Sequence, residues 1–129
     1  MKTMKTLVGT AAIALLAASS VLAHEGDDHK KDGMAAGETK KITGEVVDMA
    51  CYVDHGATGE KHADCAKKCI TSGLPVGLKA ADGKTYLLIG DHTPMNSDLA
   101  QYAAKTITVE GKVVSRDGMN MIENAVIQK

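Results

Sequence analysis

All three cysteines of the chain and one of its histidines fall within nineteen residues. They follow the spacing C-x10-H-x2-C-x3-C and are Cys51, His62, Cys65 and Cys69. Thiolate and imidazole groups are the ligands that zinc, copper(I) and iron take in proteins. The segment therefore predicts a Cys3His site for one transition-metal ion, zinc or copper(I) first and iron as a further choice. His92 and His24 are weaker candidate ligands.

The odd number of cysteines leaves two alternatives to a metal site, because a single disulfide would leave one thiol over. Lys67 and Lys68 lie between Cys65 and Cys69, and nearby positive charge favours thiolate. The chain could therefore be a thiol/disulfide-active protein, although it contains no C-x-x-C motif. In the second alternative a disulfide only ties the segment down, and the domain binds a peptide or glycan partner.

The first 23 residues have the organisation of a secretory signal peptide. Lys2 and Lys5 precede an apolar run over Leu7–Ala18, and small residues precede a cleavage point after Ala23. The apolar run is shorter than the roughly 20 residues that span a bilayer. We therefore predict export to the periplasm or secretion, with no membrane insertion after the signal is removed.

The composition of the remaining chain argues against nucleic-acid binding. The signal carries two of the 15 basic residues and none of the 16 acidic ones, so the exported part has a net charge of −3. The whole chain has three tyrosines, no phenylalanine and no tryptophan. Proteins that hold single strands combine a positive groove with stacked aromatic side chains, and this chain offers neither.

Beyond the signal, residues 24–41 are polar and predict a disordered tail, whereas residues 42–129 predict one folded domain. The domain begins with a β-branched strand at Ile42–Met49. A hairpin follows over residues 76–89, with its turn at the Asp82-Gly83 pair. A short helix after Pro94, capped by Ser97 or Asn96, precedes two more strands at Thr106–Ser115 and Met119–Ile127.

This order predicts an all-β, OB-fold-like barrel of five strands with one or two short helices. Gly44 and Gly111 lie inside strands, in the similar contexts TGEVV and EGKVV. Glycine is costly in a strand unless the strand must bend, as at the corner of a barrel. The two glycines therefore favour a closed barrel over an open sheet.

The cysteines lie in an insertion between the first two strands, and a helix is predicted over residues 61–71. On that helix His62, Cys65 and Cys69 would point within about 60° of one another. Cys51, at the end of the first strand, could fold back to meet them. Asp48 could then hydrogen-bond His62 and fix its tautomer.

The chain resembles a group of small exported bacterial OB-fold-like proteins that share a D-x-x-C-Y…G-x-x-G-x-x-H-x-x-C-A-x-x-C-x-x-x-G-x-P segment. Here the segment is formed by Asp48, Cys51, Tyr52, Gly56, Gly59, His62, Cys65, Ala66, Cys69, Gly73 and Pro75. The resemblance covers the chain from Ile42 onward and implies an exported domain, but no established reaction. We expect metal sequestration, delivery or site stabilisation rather than catalysis, with the metal ion and another periplasmic protein as partners.

Overall fold

The computed structural model describes residues 37–129, and these residues form a closed five-stranded barrel. The strands close in the order β1-β2-β3-β5-β4, and every neighbouring pair is antiparallel except β3 and β5. This topology confirms the predicted OB-fold-like barrel. The strands are β1 (Thr39–Asp48), β2 (Val76–Ala80), β3 (Thr85–Leu88), β4 (Thr106–Arg116) and β5 (Met119–Gln128).

The strand β1 begins three residues earlier than the sequence suggested, because Thr39–Lys41 pair with β4. The last residues of the predicted tail therefore belong to the barrel. The predicted signal peptide and His24 lie outside the described residues. Within residues 37–129, no helix is long and apolar enough to cross a membrane.

The inward-facing side chains of the barrel form one apolar core. Its completely buried members come from strands and from the helices that cover the barrel; they are Val46, Ile70, Leu78, Leu99, Val109 and Ile122. Burial of such side chains stabilises the fold by about 1.5–3 kcal/mol each. Because Ile70 comes from the insertion between β1 and β2, this segment shares the core of the barrel.

Gly44 and Gly111 lie where neighbouring strands come closest. A Cβ atom on Gly44 would stand 2.5 Å from the Lys79 carbonyl oxygen, and one on Gly111 would stand 2.7 Å from the Glu123 carbonyl oxygen. The register between β4 and β5 also shifts at Gly111, between Glu110 and Lys112. The glycines therefore permit the close approach and the irregularity that a closed barrel needs.

The hairpin and the helix that follows it lie where the sequence placed them, but the predicted helix cap is wrong. The helix α3 (Asn96–Leu99) has Met95 at its N-cap, without a side-chain cap, and continues as a 3-10 helix through Tyr102. The amide of Asn96 instead donates hydrogen bonds to the carbonyl oxygens of Ile70 and Leu74, at 2.8 and 2.7 Å. A tertiary contact therefore takes the polar group that the sequence assigned to capping.

The insertion between β1 and β2 contains two helices rather than one. The helix α1 (Met49–His55) follows β1 directly, and the helix α2 (Ala63–Thr71) follows a 3-10 turn at Glu60–His62. The second helix was predicted to begin at residue 61, and in the structure it begins two residues later, at Ala63. The first helix was not predicted.

Candidate metal centre

Cys51 is held in the first turn of α1 by the cap at the end of β1. The carboxylate of Asp48 accepts hydrogen bonds from the backbone N–H groups of Ala50 and Cys51, at 3.3 and 2.9 Å. At the other end Gly56 adopts a φ of 71°, and its N–H bonds to the carbonyl of Tyr52. Both ends of this short helix are therefore capped by hydrogen bonds, and the backbone that carries the Cys51 side chain is held in place.

Cys65 and Cys69 lie one turn apart on α2, so their side chains leave the same face of the helix. Ile70 anchors the helix in the barrel core, where it is completely buried. The carbonyls near the end of the helix receive the two hydrogen bonds from Asn96. The barrel therefore fixes both the rotation and the C-terminal end of the helix that carries two of the thiols.

A third attachment holds the loop between the two helices. The Glu45 side chain of β1 accepts a hydrogen bond from the N–H of Gly59, which adopts a φ of 77°. The Gly59 carbonyl in turn accepts from His62 N–H at 2.9 Å and closes the 3-10 turn. Such a loop depends on a contact with the barrel that local sequence does not reveal.

The two helices bring all three thiols together. The Sγ atoms of Cys51, Cys65 and Cys69 lie within 4.8 Å of one another, and none of the three forms a disulfide. Three sulfurs bound to one ion at about 2.3 Å would be about 3.8–4.0 Å apart, so a small contraction would complete a site. Cys51 and Cys69 are half-buried and Cys65 is exposed. This cluster, named the thiol cluster below, could hold a metal ion.

The surroundings of the cluster favour protonated thiols in the absence of an ion. A hydrogen bond to the Asp48 carboxylate, together with burial and the charge of that carboxylate, raises the pKa of Cys51 to about 12. Burial is the main cause that raises the pKa of Cys69, and the Asp48 charge adds to it. Asp48 is itself almost completely buried. A cation in the cluster would offset this negative potential, and its binding would displace protons.

His62 is not one of the three residues whose ligand atoms cluster. It lies in the 3-10 turn before α2, whereas Cys65 and Cys69 lie within the helix. Its ring lies instead 6.3 Å from the ring of His55, measured between centroids. A fourth ligand from His62 stays a prediction. Among the described hydrogen bonds, Asp48 is bonded to the start of α1 and not to His62.

The other candidate ligands also lie apart from the cluster or outside the described residues. His92 is exposed in the loop after β3 with a φ of 50°, and it is not a member of the thiol cluster. His24 lies outside the described residues. The metal site that the described residues support therefore consists of three cysteines.

That Asp48 caps α1 and lies beside the thiols was not predicted from the sequence. A signal was available, because aspartate three residues before Cys51 and glycine at position 56 are an N-cap and a C-cap in the helical spacing. Those caps predict a helix that turns Cys51 toward the insertion. They also place the carboxylate next to the first thiol.

Comparisons with protein-family models, with curated proteins and with solved structures found no match to this chain. The resemblance to small exported OB-fold-like proteins stays a prediction. The fold and the thiol cluster are therefore the features that bear on function.

Proposed function

We propose that this is an exported metal-binding protein whose thiol cluster takes one thiophilic ion. The observation that carries the proposal is the convergence of three sulfur atoms from two separate helices within 4.8 Å. Cysteine side chains brought together without a disulfide, in a chain with no other cysteines, fit a common ligand. Export from the cell, to the periplasm or beyond, is supported by the residues of the N-terminal segment.

Copper(I) is the ion that the cluster suits best. Three thiolates satisfy copper(I) in a trigonal site, and soft sulfur ligands select it. Zinc in a closed structural site takes four ligands, so it would need His62 or a water molecule in addition to the thiols. The three clustered sulfurs therefore support copper(I) over zinc, and measurement of the bound metal decides between them.

Exposure of the site supports sequestration or delivery rather than a purely structural ion. Cys65 is exposed, whereas Cys51 and Cys69 are half-buried. A partner protein could approach the ion from the Cys65 side and replace one sulfur at a time. Another exported protein that offers soft ligands would be a suitable partner.

The raised pKa values of Cys51 and Cys69 argue against these two thiols as the nucleophiles of a thiol/disulfide protein. The nucleophile in disulfide exchange is the thiolate, and reactive cysteines have a lowered pKa. Here Asp48 acts in the opposite direction. The disulfide-tied binding module and the thiol-active protein are both distinguished from a metal protein by the test below.

The test measures metal content and free thiols in protein isolated from the exported fraction. We expect about one ion per chain and three thiols that become accessible only after chelation. Cys65→Ser should reduce the bound metal at least tenfold, because only two thiolates remain. The control is Lys68→Ser, an exposed position on the same helix, which should retain the metal.

Three outcomes would contradict the proposal. Metal-free protein with one titratable thiol would indicate a structural disulfide, and a thiol count that changes with turnover of a disulfide substrate would indicate an oxidoreductase. Retention of full metal affinity by Cys65→Ser would show that the ion binds elsewhere.

A further inference from the structure

The two histidines of the insertion, His55 and His62, lie close to each other. His55 is the last residue of α1, one turn after Cys51, and His62 precedes Cys65 by three residues in the 3-10 turn. Their ring centroids are 6.3 Å apart and their planes are inclined by 57°. The His55 side chain is 54 % exposed, so solvent ions reach it.

The two rings are close enough to share an ion after a small movement. A metal–nitrogen bond of about 2.0–2.1 Å places each ring centroid about 3.2 Å from the ion. Two centroids around one ion are then about 5.2 Å apart at a tetrahedral angle and about 6.4 Å apart in a linear arrangement. The observed 6.3 Å lies near the linear limit, so the two rings must approach by about 1 Å to share an ion at a tetrahedral angle.

A neighbouring carboxylate prepares one of the rings for metal binding. Nδ1 of His55 lies 3.1 Å from Oδ2 of Asp54. A neutral His55 that donates Nδ1–H to this carboxylate keeps its Nε2 lone pair for an ion. Ligating histidines in metal sites are held in the same way by a carboxylate or carbonyl.

We propose that His55 and His62 form a second metal site, separate from the thiol cluster, for a borderline divalent ion such as Zn²⁺. Asp54 is a positioning residue that orients His55. Two imidazoles leave the remaining coordination positions to water, so this ion exchanges readily and binds more weakly than an ion held by three thiolates. The site does not depend on the proposed function, since its ligands are not the cysteines.

The test is a Zn²⁺ titration near neutral pH. The ring C–H resonances of each histidine are followed by NMR while thiol accessibility is measured in parallel. The protein carries His24→Ala and His29→Ala, so that only His55, His62 and His92 report. We expect the His55 and His62 resonances to move together, after the thiols have become protected, while His92 stays in place.

Variants then separate the second site from the first. His55→Ala and His62→Ala should each weaken the second Zn²⁺ at least tenfold and leave the thiol-bound ion in place. Asp54→Asn should weaken it by about tenfold, in keeping with the loss of an outer hydrogen bond to a ligating histidine. Asp64→Asn, at an exposed acidic position of α2, is the matched control and should have no effect.

Two responses to Zn²⁺ would overturn the inference, and a third would separate it from the proposed function. If His62 moves with the ion that protects the thiols while His55 does not, His62 is a ligand of the thiol cluster and the pair is not a site. If neither ring responds to Zn²⁺, the two rings only pack against each other. If neither Zn²⁺ nor copper(I) protects the thiols but both rings respond together to Zn²⁺, the second site stands and the proposed function fails.

Discussion

Asp48 connects the fold and the site at the level of a single residue. Its carboxylate ends β1, caps α1 through two backbone N–H groups, and lies beside the thiols of Cys51 and Cys69. A buried carboxylate disfavours the thiolate form of neighbouring cysteines that hold no ion. When a cation binds, the same charge stabilises it. Asp48 therefore couples metal binding to the release of protons.

We predict that Asp48→Asn makes Cys51 reactive at a lower pH in metal-free protein. The raised folded pKa of about 12 keeps Cys51 protonated, and removal of the negative charge returns the pKa toward the ordinary thiol value of 9.0. Asparagine caps helices as well as aspartate does, so α1 should persist. The rate of alkylation of each cysteine, measured against pH by mass spectrometry, checks the shift.

The raised pKa of Cys51 also makes the stability of the folded domain depend on pH. Because the folded pKa of Cys51 is raised, its contribution to stability is present below a pH of about 9 and is lost as the pH rises toward 12. In Asp48→Asn this loss should be smaller. An unchanged alkylation profile in that variant would show that burial alone controls the thiol.

At the level of elements, α2 is positioned by a side chain of α3 as well as by the burial of its own Ile70. The Asn96 amide bonds the carbonyls of Ile70 and Leu74, so it satisfies the end of the helix that carries Cys65 and Cys69. The sequence of α2 does not predict this contact. The position of two of the three thiols therefore depends on a side chain more than twenty residues away.

We predict that Asn96→Ala lowers the free energy of unfolding by about 1–3 kcal/mol, since two hydrogen bonds are lost at about 0.5–1.5 kcal/mol each. It should also weaken metal binding, because α2 becomes less ordered. Urea denaturation and a competition assay with a chelator measure the two effects. Gln101→Ala is the control: its amide bonds the nearby Asp98 carbonyl on an exposed surface. Equal losses in both variants would contradict the special position of Asn96.

At the level of the whole molecule, the barrel could be predicted from the sequence and the details of the insertion could not. Strand alternation, the Asp82-Gly83 turn and two mid-strand glycines are local signals, and each one holds in the structure. The 3-10 turn before α2 depends on the bond from Gly59 to Glu45, a contact across the fold. The prediction grouped His62 with Cys65 and Cys69 because it assumed one helix from residue 61, whereas the ligand atoms that cluster in the structure are those of the three cysteines.

The insertion and the barrel share one core, so an ion in the thiol cluster should stabilise the entire domain. Ile70 of α2 belongs to the same buried cluster as Leu78 and Ile122 of the strands. An ion that binds only the folded state contributes about 2.7 kcal/mol when its free concentration is 100 times Kd. For a domain of this size, that contribution raises Tm by about 10–20 °C.

We therefore expect one equivalent of copper(I) to raise the Tm of the strands, followed by far-ultraviolet circular dichroism, and chelation to reverse the rise. Lys68→Ser should show the same increment, and Cys65→Ser should lose it. Ile70→Ala should lower Tm with and without metal, because a large-to-small change at a buried site costs about 2–5 kcal/mol. If copper remains bound while the Tm of the strands does not change, the insertion opens independently of the barrel. The shared core would then be too weak to transmit the stabilisation from the site to the strands.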